Sequence, residues 1–301
     1  MTRSARIAGG AAVVLLLMLG CASTGQVIRV EGVMIEQAVT YSAGPGFELK
    51  LAIARRESGH GPFPALVFLY GNGWGYWAAD RMDYQNIIIR AAQRGYVAAS
   101  IDYRATSAKE DGKTKFLFPA QLHDAKAAVR WLRGNAKKYK IDPNRIGAAG
   151  YSSGGHLALL LGLTTPSDGL EGESVYQEYS SSVQAVVNAA GPTDLTDMYN
   201  ESPDERAPLA DLMGGSPQAL SEQYAKASPL TYVRAGAPPI LTIQGGLDRD
   251  VPPQQAYALD ARMKQIGATH ILVVKSRARH EDFLSDPQVL GFFDKFLGEP
   301  K

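Results

Sequence analysis

The chain is expected to fold as an α/β protein with a mostly parallel central sheet, helices on both faces and an antiparallel edge at its N-terminal end. Three observations predict this. Short apolar runs alternate along the sequence with longer amphipathic ones, the pattern of strand and crossover helix. The early stretches EQAVTYSA and FELKLAIARR alternate apolar and polar residues more clearly, as an antiparallel hairpin does. Hydrophobic residues make up 45% and charged residues 20% of the 301, a balance with ample material for a large core.

The elements follow in chain order after that hairpin. ALVFLYG reads as a buried strand before a helix over 80–94, and YVAASIDYR as a strand before a helix over 119–139. RIGAAGYS then leads into a helix over 153–163, where Leu157, Leu159, Leu160 and Leu161 suit packing on a sheet. VQAVVNAAGP and PPILTIQGG continue the strands, followed by a helix over 254–265, the strand HILVVKSR and a final helix near 287–297. Residues 164–182 and 193–230 are longer irregular stretches, expected to form lids or walls of a crevice. No repeat or low-complexity stretch follows the N-terminal segment, so residues 36–301 are expected to form one domain.

The first residues read differently. Arg3 and Arg6 precede the apolar run AAVVLLLMLG, the basic start and apolar middle of a signal peptide over 1–20. The run is short for a bilayer-spanning helix, which needs about 20 apolar residues. Cys21, the only cysteine, ends MLGC, which resembles a bacterial lipobox with Met18 and Leu19 departing from its usual residues. The expectation is therefore a lipid anchor at Cys21 and a tether over 21–35. It places the protein in the bacterial cell envelope as an outer-membrane lipoprotein, with a periplasmic or secreted form as the alternative. The 31 basic and 30 acidic residues are balanced, so there is no basic field to attract nucleic acid.

The motif Gly150-Tyr151-Ser152-Ser153-Gly154 lies between a strand and a helix. Glycines two residues to either side of Ser152 permit a sharp corner that raises its hydroxyl at the carboxyl end of the sheet. A serine hydroxyl is a poor nucleophile until a base takes its proton, so a histidine and an acceptor that orients it are required. Five histidines compete. His60 precedes a strand, His123 lies within a helix, His156 sits on the helix after Ser152 as a packing or supporting residue, and His270 begins its strand. His280 follows the last strand and so arrives at the right edge. Asp248 follows the preceding strand and is the expected acid; Asp194 also follows a strand and is the alternative, while Asp250 is expected to be solvated or salt-bridged. The stretch FLYGNGWGYW is expected to supply oxyanion donors from the amides of Asn72 and Gly73, with the Ser153 amide as the third. Trp74, Tyr76 and Trp77 are expected to line the substrate pocket or, equally, to pack in a lid or core.

Taken in order, YGNGW, IDYR, GYSSGGHLA, GGLDRDVP and RHEDF resemble the α/β-hydrolase group of esterases and lipases whose oxyanion motif reads His-Gly-Gly-x-Trp. That group includes carboxylesterases, feruloyl-esterase-like enzymes and kynurenine formamidases, and the resemblance runs from about residue 63 to 283. It implies the α/β-hydrolase fold and a catalytic triad in the chain order Ser152, Asp248, His280. It also implies a serine carboxylesterase that works through an acyl-enzyme on a small-molecule ester, with no metal or organic cofactor. Tyr70 stands where the motif has its histidine, Asn72 where it has a glycine, and Gln244 where the group usually has histidine. An amidase or exopeptidase with the same triad, and a non-catalytic surface-binding module, are the alternatives.

Overall fold

The computed structural model describes residues 26–75 and 82–300. The expected signal peptide over 1–20, Cys21, Tyr76 and Trp77 lie outside these residues. The described chain opens with β1 (Val27–Val30), β2 (Val33–Gly44) and β3 (Phe47–Arg56), joined antiparallel. The hairpin is formed as expected, but it extends further back than the sequence reading allowed. Of the residues expected to form the tether, 27–30 and 33–35 are strand, joined by a turn at 31 and 32. The reason is local: VIRV and VMIE flank Glu31-Gly32, which take φ 49° and 77°, the left-handed pair that a two-residue hairpin turn requires. Val33 and Ile35 are buried by the pairing.

The parallel part follows. β4 (Phe63–Leu69), α1 (Met82–Arg94) and β5 (Val97–Ile101) lead to a two-residue ribbon of β6 (Lys109–Glu110) and β7 (Lys113–Thr114). Next come α2 (Ala120–Gly134), α3 (Ala136–Tyr139), β8 (Ile141–Tyr151), α4 (Ser153–Leu163) and β9 (Ala185–Ala189). The wall segment holds α5 (Leu195–Glu201), α6 (Arg206–Met213) and α7 (Ser221–Ala227). β10 (Ile240–Gly245), α8 (Pro253–Gln265), β11 (His270–Lys275) and α9 (Pro287–Leu297) complete the chain.

The nine-stranded sheet has the order β1-β2-β3-β5-β4-β8-β9-β10-β11. Every pairing from β5 to β11 is parallel, and those from β1 to β5 are antiparallel. Each residue of β4, β5, β9 and β10 is buried. Successive strand residues point to opposite faces, so both faces of this region are covered. The chain adds β5 on one side of β4 and then crosses to add β8 on the other, which makes the carboxyl ends of β4 and β8 a topological switch point. A crevice opens at such a point, and Gly71 and Ser152 leave it on its two sides.

Candidate active site

Ser152 stands at the corner between β8 and α4 with φ 53° and ψ −125°, a left-handed conformation that a residue with a side chain adopts only when its surroundings hold it. They do so here. Its N–H donates to the Ala189 carbonyl at 2.8 Å, and its own carbonyl accepts from the His156 N–H at 3.0 Å. The flanking glycines are needed for space: a Cβ on Gly150 would lie 2.1 Å from the Gly154 oxygen, and one on Gly154 would lie 2.2 Å from the Leu69 oxygen.

The Ser152 hydroxyl faces His280 Nε2 at 2.9 Å, and His280 Nδ1 faces Asp248 Oδ2 at 2.8 Å. A carboxylate only accepts, so Nδ1 carries the ring proton and Nε2 presents its lone pair to the serine. Asp248 is itself fixed: Oδ1 accepts the N–H groups of Asp250 and Val251 at 3.0 and 2.9 Å. Gln244, which replaces the group's usual histidine, is fully buried, and its Nε2 donates to Asp248 Oδ2 at 3.0 Å and to the Val251 carbonyl at 2.9 Å. Gln244 thus braces the acid. The alternative acid lies elsewhere, because Asp194 caps α5 by accepting from the N–H groups of Thr196 and Asp197. A hydroxyl facing an imidazole lone pair, with the far ring N–H held by a carboxylate, can lose its proton as it attacks an electrophilic carbon.

The other histidines are spent on other bonds or sit apart. His270 bridges Asp260 and Thr242 at the start of β11, each at 2.9 Å, and burial lowers its pKa. His123 lies on α2, and burial pushes it down to about 4.

The oxyanion side departs from expectation at Asn72. The Asn72 N–H, expected to face the oxyanion, donates instead to Ser153 Oγ at 3.0 Å. That hydroxyl is 3.4 Å from the Tyr103 hydroxyl, which donates to the Tyr70 carbonyl at 3.2 Å. A serine directly after the nucleophile therefore puts an acceptor where it captures the nearest loop amide. The Gly73 amide has no acceptor among the described residues, and the Ser153 amide opens α4, where the helix offers it none. These two remain available. Of the two readings of Trp74, pocket lining and core packing, the structure bears out the second: the side chain is 1% exposed. Its indole donates to His156 Nδ1 at 3.2 Å, so it packs inward under the loop. Left-handed backbone is also used at Gly73 and Trp74, φ 53° and 59°, not at Asn72.

Around His280 the structure gathers groups that one-dimensional pattern did not single out. The Tyr151 ring lies 4.9 Å from that of His280, inclined by 35°. Burial, then Asp282, Asp248, Asp250 and Glu281, raise the Tyr151 phenol well above its ordinary value. Half-buried Glu205, from the wall segment, is pushed up to about 6 by burial and by Asp250, against an opposing pull from His280. Its only sequence signal was membership of the irregular stretch 193–230. Asp250 makes no ion pair among the described residues. Its carboxylate lies with ligand atoms of Asp248 and His280 inside 4.8 Å, a metal-compatible spacing, although those two are already committed to each other.

The two irregular segments part company. The 193–230 stretch borders the site: Pro208 approaches Gly73, and the Ala227 carbonyl accepts from His156 Nε2 at 2.7 Å. The 164–182 stretch is strapped along α2 instead. Lys126 and Arg130 pair with Glu171, and Arg133 holds the carbonyls of Ser180 and Ser182.

Comparison with known proteins fits this geometry. The BD-FAE family model matches residues 51–263. Esterase LipC of Mycobacterium tuberculosis is 31% identical over 222 residues, which are 72% of this chain and 52% of LipC. The chain thus spans about half the length of that relative. Among solved structures, a truncated carbohydrate esterase from gut microbiota superposes with TM-score 0.75 at 28% identity, covering 87% of this chain and 93% of that one. Esterase 2 of Thermogutta terrifontis, solved phosphorylated by paraoxon, gives TM-score 0.68 at 26% identity, covering 90% and 95%.

Proposed function

The chain belongs to the BD-FAE family of α/β-hydrolase esterases, and from that premise we propose that it is a serine carboxylesterase. The observation that carries the reading is the unbroken chain from Ser152 Oγ through His280 to Asp248, at 2.9 and 2.8 Å. Ser152 attacks the ester carbonyl as His280 Nε2 takes its proton, and the oxyanion that forms is met by the amides of Gly73 and Ser153. His280 returns the proton to the departing alkoxide, leaving an acyl-serine. Water, deprotonated by His280, releases the acid and restores the hydroxyl. Asp248 holds the ring tautomer and the imidazolium through both halves.

Acylated carbohydrates are the first substrate class to try, because a carbohydrate esterase is among the structures it most resembles over nearly their whole length. A fluorophosphonate probe on wild type and Ser152→Ala, followed by acetylated sugars, aryl esters of increasing chain length, formyl amides and dipeptide anilides, tests the reading. Labelling that needs Ser152, with ester turnover above amide turnover, is expected; amide preference would move the reaction class, and labelling indifferent to Ser152 would remove it.

We also propose that residues 1–20 direct export and that Cys21 carries lipid, which would hold the enzyme at the cell envelope. Arg3, Arg6, the apolar run and LGC support this. Metabolic palmitate labelling of wild type but not Cys21→Ser is the expected result, and no incorporation in either would leave export alone.

A further inference from the structure

An oxyanion donor works only if it is held still before charge develops, yet Gly73 itself lies in the loop after β4, in neither helix nor strand. Trp74 is the residue that could anchor it. Its φ of 59° is a costly conformation for a tryptophan and persists only where contacts fix it. Two sets of contacts do. Its carbonyl accepts from the Thr106 N–H at 3.0 Å and from the Thr106 hydroxyl at 3.3 Å. Its indole N–H donates to His156 Nδ1 at 3.2 Å, the two rings meeting edge to face with centroids 5.3 Å apart.

His156 lies one turn into α4 from Ser152 and is 0% exposed. Its Nε2 faces the Ala227 carbonyl at 2.7 Å. A carbonyl cannot donate, so Nε2 bears the proton and Nδ1 keeps the lone pair that the indole needs. Burial drives its pKa down to about 4, which keeps the ring neutral.

We propose that His156 is a positioning residue for the oxyanion hole. It touches no reacting atom. By fixing Trp74 it sets the direction of the neighbouring Gly73 amide relative to Ser152, and it ties the nucleophile's helix, the oxyanion loop and the 193–230 wall together at one imidazole. The inference rests on the serine-esterase reading of the site.

Two isosteres separate this role from simple packing. In His156→Asn the amide oxygen falls near the place of Nδ1 and can still accept from Trp74; in His156→Gln the amide nitrogen falls near Nε2 and keeps only the bond to Ala227. On an aryl acetate, His156→Gln is expected to lower kcat by about 10- to 100-fold with KM within about twofold, the range of a small misplacement in a site. His156→Asn should stay within about threefold of wild type by the same reasoning. A trifluoromethyl ketone, which forms a tetrahedral adduct, should weaken in the Gln variant by the same factor as kcat. Trp74→Phe gives the same loss without touching His156, and the double variant should be no worse than either single. Equal loss in the Asn and Gln variants, or loss confined to KM, would overturn the inference while an active wild type leaves the esterase reading standing. A wild type that turns over no ester would overturn both.

Discussion

The two sides of Ser152 are built by different means. On the β10–β11 side the parts are side chains of distinctive type, an imidazole and a carboxylate, each delivered by the loop after a parallel strand. On the β4 side the groups we propose to meet the oxyanion are backbone amides, and what decides their direction is packing: Ser153 Oγ on the Asn72 amide, His156 on the Trp74 indole, Thr106 on the Trp74 carbonyl. The first side depends on chemistry that any substitution of the key residue removes. The second depends on placement, which a neighbour can degrade by degrees.

That contrast predicts a ranking. Asp248→Asn should be the largest loss short of the nucleophile itself, since in a comparable triad the same change lowers kcat by about 10⁴ through the wrong histidine tautomer. Circular dichroism should be unchanged. An Asp248→Asn enzyme within tenfold of wild type would break the comparison on its stronger side.

Acid should act on the weaker side through stability. Folding holds His156 neutral with a pKa of about 4 against an ordinary 6.5, so between those values the unfolded chain binds the extra proton. Stability supplied by the neutral ring is therefore present above pH 6.5 and is lost as pH falls towards 4, by roughly 3 kcal/mol in all. His123 adds a loss of the same sign. Urea unfolding at pH 7.5 and 4.5 should show a smaller drop for His156→Asn than for wild type; equal drops would mean that the ring gains its proton without cost.

Ser153→Ala removes the hydroxyl that accepts from the Asn72 N–H and nothing else, while the Ser153 amide stays in place. Its turnover should fall by less than about tenfold, well under the cost of deleting a whole oxyanion donor. Loss as deep as in Ser152→Ala, in a folded variant, would reassign the nucleophile. The smallest effect belongs to Asp194→Ala, which loses a helix cap and about 1 kcal/mol of stability with ester turnover unchanged. A deep kinetic loss there would make Asp194 part of the machinery.

The same contrast explains what could be read from the sequence. His280 was legible because strand position alone eliminates the other histidines, and Ser152 because its glycines answer a steric demand visible as a motif; Asp248 shared its position after a strand with Asp194, and the triad order of the resemblance favoured it. The central strands were legible because burial on both faces leaves continuous apolar runs. The first hairpin was missed although VIRV-EG-VMIE carries its turn signal, because nearness to the expected signal peptide suggested a tether. Trp74 could not be placed, since a tryptophan after a strand packs inward or outward according to what lies beneath it, and here that is an imidazole on a distant helix. Glu205 and the fate of the Asn72 amide were invisible for the same reason: each depends on a contact between segments that no periodicity links.

Everything in this reading turns on Ser152 as the nucleophile of an acyl-transfer site. Its most direct test is intact-protein mass spectrometry after treatment with paraoxon, followed by peptide mapping and parallel assay of an aryl ester. One phosphoryl group per chain is expected, on the peptide carrying Ser152, with ester turnover lost in proportion to labelling and no label on Ser152→Ala. Stoichiometric label on another residue, or full ester turnover in the labelled protein, would contradict it.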